Sequence, residues 1–521
     1  MNRTDFSHVV VGGGVAGTFA AWRLAMSGAV DPSRIALFEM LPEIGGRLKS
    51  VALPGLGGVR RAELGGMRYL TSQPMVTNLV LDLQQRDPVN FETVPFAVDS
   101  RNNMAYVRNK YLRTPDLKDE SKVPYDLAPL ERGRDPLSLL THALNCIVPD
   151  AVYKSEDEWE EIKRTFMVDG QPLYTLGLWN LLERVLSPEA YRFVHTACGY
   201  NTTVGNWNAA DAIPWFVADF CAGAAFTSIR AGFDALPKRL LKEAIDKGIT
   251  FRQQEVKGWE PLDSPYAGVR LNLADEESLT AEHLVLAMPK RSLDRLSMPR
   301  TSHFVSMTTS VTSLPMFKLF MGYPYPWWRQ LGMKAGQTVT DLSLRQIYYW
   351  GSNYDGFFND TPESTGGITN DDQNSLMMAS YCDGREKNFW VPLTGNRHGS
   401  LAGIIDLRNH EDLSITNMVR TVQDQLRSIH AINYIPEPYV AAYANWSAEP
   451  FGGGWNSWNI GARSWEVKAG MLKPFDDMPV YVCGEAYSNQ QGWVEGALQT
   501  TEEVLVKKLG LPATGWLPMK A

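Results

Sequence analysis

Cysteine is scarce in this 521-residue chain, and its five positions, Cys146, Cys198, Cys221, Cys382 and Cys483, include no C-x-x-C pair. An odd, unpatterned set excludes a disulfide framework or a zinc site as the organising device, so these residues read as core or free thiols. Long apolar runs are also missing: no stretch of 18 or more apolar residues occurs, which excludes a hydrophobic membrane-spanning helix. The first strand begins by about residue 8, too early for a signal peptide, and the expected compartment is the cytoplasm. A basic excess is lacking too, with 50 Lys and Arg against 58 Asp and Glu and a net charge of -8. That balance argues against nucleic acid or an anionic membrane as principal partner. Fixed-period repeats and low-complexity tracts are absent as well. The length instead calls for two or three domains with a substantial core.

What is present is concentrated at the two ends. Val9-Val10-Val11 runs into Gly12-Gly13-Gly14-Val15-Ala16-Gly17, and a second apolar strand over 35–38 ends on Glu39. Gly12 suits a tight turn, Gly14 lets the backbone approach a pyrophosphate, and Gly17 lets a helix pack closely on the strand. The helix opening there offers unpaired N–H groups to a phosphate, and Glu39 is spaced to accept from a ribose hydroxyl. Phe19, Trp22, Leu24 and Met26 form the apolar side of that helix, which Gly28 stops. A lone G-x-G-x-x-G also suits an ordinary turn; the flanking strands and the terminal acid favour a dinucleotide-binding βαβ unit.

Gly45-Gly46-Arg47 follows shortly after Glu39, and the chain here resembles the flavin amine oxidase family, in which such a Glu and a downstream G-G-R grip FAD. Two glycines clear space and a guanidinium can pair with the pyrophosphate. At the other end the strand Val480–Cys483 leads to Gly484-Glu485, and Gly492-Trp493 opens a helix whose Val494, Ala497, Leu498, Thr501, Val504 and Leu505 recur at helical spacing. The resemblance implies that this segment returns to the first βαβ unit and covers the flavin. Gly232-Phe233-Asp234-Ala235-Leu236-Pro237 resembles a further family segment, followed by a helix and the strand bearing Val256, whose backbone would hold the adenine. Residues 284–288 resemble the strand that completes the cofactor domain.

The expected fold class is therefore α/β: a discontinuous Rossmann-type FAD-binding domain, as in glutathione-reductase-like flavin oxidoreductases, with a mixed or antiparallel-sheet substrate domain and a helical domain. The expected boundaries are 1–70, 236–300 and 471–521 for the FAD-binding domain, and 71–130, 224–235 and 301–470 for the substrate domain. Residues 131–223 form a helical domain along the access route. Helical periodicity supports the last assignment through Leu139, Leu140, Ala143 and Cys146, then Trp159, Ile162 and Phe166, then Leu178, Leu181, Leu182 and Val185. Strand-like runs between Gly, Asn and Asp turns dominate 300–470.

Candidate substrate residues follow from Glu63-Leu64-Gly65-Gly66-Met67-Arg68-Tyr69, which resembles the L-amino acid oxidase branch. There the segment, with Gly66 and Met67, passes the flavin, and an arginine at the position of Arg68 pairs with the substrate carboxylate. A planar fork suits a carboxylate, though by residue type alone Arg68 reads equally as a structural ion pair or a phosphate contact. Ser375-Leu376-Met377-Met378-Ala379-Ser380-Tyr381 reads as a buried strand ending on a tyrosine; the resemblance gives Tyr381 a hydroxyl contact to the same carboxylate, while its type alone suits a core-edge aromatic. Lys318, inside Met316-Phe317-Lys318-Leu319-Phe320, is costly in an apolar strand unless partnered. It reads either as a snorkelling edge lysine or, by resemblance, as the lysine that holds a water near the flavin and serves the oxygen half-reaction. Trp446 and Trp493 correspond to the two aromatic rings beside the substrate, and the Gly492 carbonyl to the acceptor for its amine. Phe451-Gly452-Gly453-Gly454-Trp455 lacks the cysteine that tethers FAD in some relatives, so the FAD is expected to be non-covalent. His195 is weighed against an active-site histidine of some relatives and reads better as a surface histidine.

The activity implied is an FAD-dependent L-amino acid oxidase, a flavoprotein oxidase that converts L-amino acids and molecular oxygen to 2-oxo acids, ammonia and hydrogen peroxide. Amine or polyamine oxidase, amino acid 2-monooxygenase and a catalytically silent flavin scaffold are the alternatives. A homodimer is the oligomer that the family suggests. Aromatic richness suits large apolar or aromatic substrates, whereas an acid such as Asp219, near Trp215 and Phe220 in the helical region, would favour Lys or Arg; sequence does not decide between them.

Overall fold

A computed structural model describes residues 4–56, 61–96, 102–200, 205–220, 224–262, 268–333, 335–349, 374–395, 402–449 and 453–515. Cys221, Phe451 and Gly452 lie outside the described residues. The strand Phe6–Val11 has five successive buried residues, the pattern of a strand covered on both faces. It lies between Ile35–Glu39 and Ser278–Ala287, parallel to both, and Thr250–Gln253 extends the sheet beyond Ile35–Glu39, again parallel. The strand Ser278–Ala287 is shared along its other edge. Its first half pairs antiparallel with Val269–Leu273, which in turn pairs with Val256–Pro261, and its second half pairs parallel with Val480–Cys483. The far end of the chain thereby joins the sheet begun at residue 6. This differs in one detail from the sequence expectation: the helix Ala235–Asp246 is followed by two strands, and Val256 opens the second, antiparallel one.

The helix Val15–Met26 is buried along nearly its whole length, from Ala16 to Ala25. It packs closely because its glycines lack side chains. Gly12 has φ +114°, and a Cβ there would lie 2.3 Å from the Ala287 carbonyl oxygen; a Cβ on Gly17 would lie 1.8 Å from the Gly12 carbonyl oxygen.

The second sheet has eight strands, in the order Ala402–Asp406, Val440–Asn445, Met316–Tyr323, Ser375–Asp383, Gln346–Tyr349, Gly336–Thr340, Met104–Val107 and Lys110–Arg113. Neighbours are antiparallel except Gly336–Thr340 with Met104–Val107, so the sheet is mixed. Ser375–Asp383 runs two residues past Tyr381 rather than ending on it. The strand-rich span 300–470 also contains the 18-residue helix Leu413–His430, capped by Asp412 and buried along Ile415, Met418, Val422, Leu426 and Ile429, which differs from the strand-dominated expectation. Five helices, Pro136–Ile147, Glu156–Thr165, Leu178–Val185, Pro188–Ala197 and Ala209–Phe220, form the helical region and share one apolar core with part of this sheet.

Gly17→Ala is expected to destabilise the protein by about 3 kcal/mol or more, because the methyl group meets rigid backbone instead of a movable side chain. Denaturant unfolding measures this, and an unchanged midpoint would contradict the close packing of helix on strand.

Candidate active site

A cavity of about 390 Å³ opens where the parallel strands end. Gly12, Glu39, Ala287 and Gly484, each at or just beyond a strand's carboxyl end, line it, which is where open α/β sheets bind ligands. Gly14, at the N-cap of Val15–Met26, contributes no side-chain cap, and the first turn of that helix holds no acid. Its unpaired N–H groups are thus open to an anion. A second glycine loop reinforces the first: Gly45 N–H donates to the Gly13 carbonyl at 3.0 Å, and Gly46, at φ +58°, stands so close that its Cβ would lie 3.2 Å from Gly14 Cα. A Cβ on Gly14 would meet only Gly46 and Gly45, at 3.9–4.0 Å, so this cradle is kept open by the absence of side chains. These residues fit a dinucleotide pyrophosphate.

Glu39 is buried, and its carboxylate accepts from the N–H groups of Gly13 at 2.6 Å and Leu41 at 2.8 Å. Burial nevertheless raises its pKa. Arg47 lines the cavity, but its Nη1 donates to Glu485 at 2.7 Å and to the Gly454 carbonyl at 3.2 Å, so any phosphate contact falls to its other nitrogens. Glu485 also accepts from Asn456 N–H, Asn456 Nδ2 and Gly492 N–H, at 2.7–2.9 Å. Gly17 and Val256 complete the set at this end: Gly17 stands behind the loop, and Val256 lines the cavity.

The other end of the cavity is aromatic and charged. Arg68 lies with its guanidinium carbon 4.0 Å from the centre of the Phe226 ring and 6.0 Å from that of Tyr348, and its buried Nη1 has no hydrogen-bond partner among the described residues. Burial works against its charge, but Tyr348, Asp219, Tyr200 and Tyr381 outweigh that and hold its pKa above the ordinary value. Tyr381 lines the cavity, edge to face with Tyr200 at 5.2 Å. Trp493 stacks on Phe226 at 6.2 Å, while Trp446 is fixed by donating from Nε1 to the Leu64 carbonyl at 2.7 Å. Gly492, at φ +83°, and Gly66 and Met67 also line this space.

Lys318 is buried, and its Nζ donates to the carbonyls of Gly65 at 2.6 Å and Glu63 at 3.1 Å, with the Tyr381 ring centre 4.6 Å away. Burial pushes its pKa down to about 7, opposed by Glu63 and reinforced by Arg68. It is therefore neither snorkelling nor at an edge: its strand lies between Val440–Asn445 and Ser375–Asp383.

His195 stands apart from this group. It packs edge-on to Trp179 at 5.6 Å, and burial lowers its pKa. Partners that sequence reasoning did not single out are Tyr200, Tyr348 and Phe226, which come from separate segments and carry no local motif, and Trp455, which follows the glycine run Gly452-Gly453-Gly454. Trp215 and Asp219 do line the cavity, with Trp215 stacked on Trp455 at 5.5 Å. The four described cysteines are free thiols. No described helix is long and apolar enough to cross a membrane.

Comparison with known proteins adds a family. Residues 15–504 match the family described as flavin containing amine oxidoreductase. Aplysianin-A of Aplysia kurodai is 26% identical over 95% of this chain and 89% of its own length. An L-amino-acid oxidase of Echis ocellatus is 23% identical over 94% of this chain and 86% of its own. Among solved structures, cyclohexylamine oxidase from Brevibacterium oxydans superposes with a TM-score of 0.68 at 18% identity, covering 96% of this chain and 98% of that one.

Glu485→Ala should cost about 3 to 5 kcal/mol, since it leaves the N–H groups of Asn456 and Gly492 without their acceptor and Arg47 without its counter-ion. Chemical denaturation reads this directly, and a loss under about 1 kcal/mol would mean that the knot around Glu485 contributes little.

Proposed function

Because the chain belongs to the flavin containing amine oxidoreductases, we propose that it is an L-amino acid oxidase using non-covalent FAD and molecular oxygen. The observation that supports this reading is Arg68: a cavity-lining guanidinium with an unpartnered nitrogen suits a substrate carboxylate, which a simple amine lacks. FAD bound in the cradle would supply the two-electron oxidation of the substrate and the reaction with oxygen.

The chain's own residues do the rest. Gly12, Gly14, Gly46 and Arg47 would receive the pyrophosphate, with Gly17 behind them letting the helix pack on the strand; Glu39 would hold a ribose hydroxyl and Val256 the adenine, with Gly66, Met67, Gly484 and Glu485 along the rest of the cofactor. Arg68 and the Tyr381 hydroxyl hold the carboxylate, and the Gly492 carbonyl accepts from the neutral α-amine. Trp446 and Trp493 exclude water and favour that neutral amine. The Cα hydrogen leaves with its electron pair and the amine loses a proton, giving an imino acid, which water converts to a 2-oxo acid and ammonia. Oxygen takes up the two electrons and two protons as hydrogen peroxide. We further infer that 1–70, 236–300 and 471–521 act as the cofactor-binding unit, 71–130, 224–235 and 301–470 as the substrate unit, and 131–223 as the access route.

Arg68→Ala is expected to lower kcat/KM for amino acids by about 2 to 5 kcal/mol of transition-state binding. Near-normal efficiency would place the carboxylate elsewhere. Product analysis completes this test, because an amide and carbon dioxide in place of a 2-oxo acid and peroxide would mark a monooxygenase. For Lys318, the positive charge is present below about pH 7 and is lost as pH rises through that value. Reoxidation by oxygen should therefore slow across that range, and Lys318→Met should be slow and flat while anaerobic reduction persists. Stopped-flow absorbance separates the two half-reactions, and a selective loss of reduction would contradict this role.

A further inference from the structure

The helix Ala209–Phe220 has no basic residue in its last turn and carries Asp219 there instead. An acid at that end opposes the helix dipole, so local stability does not explain it. Nor does hydrogen bonding: Asp219 Oδ1 is buried without a partner among the described residues. Burial lifts its pKa to about 6, with Arg68 pulling the other way. Asp219 and Arg68 line the same cavity, yet among the described residues no ion pair within 4.0 Å joins them. Two opposite charges, each with an unpartnered atom and held apart, suit a ligand that carries both signs at separate points.

The carboxylate of such a ligand belongs at Arg68. Its cation is not the α-amine, which must be neutral to be oxidised and which the reading above directs to Gly492. The second charge therefore belongs to the side chain. Trp215, one turn before Asp219, lines the cavity stacked on Trp455, with Tyr200 also in the wall. These rings offer an apolar track for a methylene stem whose charged head lies beyond. We propose that this protein selects L-amino acids with a cationic side chain, of the lysine and arginine class, and that Asp219 binds the distal charge. The proposal rests on Arg68 as the carboxylate clamp.

The test compares L-lysine with L-norleucine, which has the same stem without the ammonium, using the intact flavin-loaded protein. The wild type should favour lysine by about 30-fold in kcat/KM, the scale of a partly buried charge pair. Asp219→Asn should bring the ratio to within about threefold, and Asp219→Glu should restore part of it. Equal use of the two amino acids by the wild type, or an unchanged ratio in Asp219→Asn, overturns the role of Asp219 and leaves the amino acid reading intact. The wild-type ratio decides the matter even if the variants fail to fold. Turnover of cadaverine and pentylamine, with neither amino acid used, overturns the carboxylate clamp and this proposal with it.

Discussion

The Glu485 carboxylate holds together segments that meet nowhere else in sequence. It sits just beyond the strand Val480–Cys483 and bonds Arg47 of the second glycine loop, both nitrogens of Asn456 and the N–H of Gly492. A carboxylate so buried is tolerated only when its oxygens are fully engaged, and here four donors engage them. The consequence is geometric. The glycine loops, the strand Trp455–Trp458 and the start of the last helix are fixed relative to one another, and those are walls of the cavity.

Within those walls the electrostatics are divided by position. At the glycine end, an uncapped helix terminus and open backbone favour an anion without a large side-chain charge. At the aromatic end, Arg68, Asp219 and Lys318 are all removed from water to differing degrees, and each is held in a state that burial alone would disfavour or shift. Glu63, buried beside the segment that receives the Lys318 hydrogen bonds, has its pKa raised to about 8 chiefly by burial, although Ser50 and the Phe233 N–H bond it. Shifted groups gathered around one cavity suit a reaction site, although burial shifts His8, His430 and Glu495 in the structural core as well.

Much of the nucleotide end was legible because its chemistry is local. Gly12 and Gly17 are dictated by neighbours a few residues or one strand away, and the acid ending the second strand announces itself by spacing. The bond from Gly45 to Gly13 and the ion pair from Arg47 to Glu485 had no such signal, since each depends on how distant segments meet. The helix Leu413–His430 was readable in principle: its apolar residues recur at helical spacing behind an Asp cap, but the surrounding strand-like runs obscured it. Around Arg68, the sequence offered Tyr381 through a motif and could not offer Tyr200, Tyr348 or Phe226, which reach the guanidinium from unrelated elements. Asp219 was legible as an acid that would favour Lys or Arg, and what the sequence lacked was its place, which the structure puts in the cavity wall.

The central claim is that this cavity oxidises a molecule that bears a carboxylate. An anaerobic absorbance titration of the flavin-loaded protein with matched pairs, each L-amino acid beside the amine formed by its decarboxylation, tests it most directly. The account requires that the amino acids bleach the flavin and the amines do not, with peroxide appearing when air is admitted. Bleaching by the amines alone, or by neither member of any pair, would contradict it.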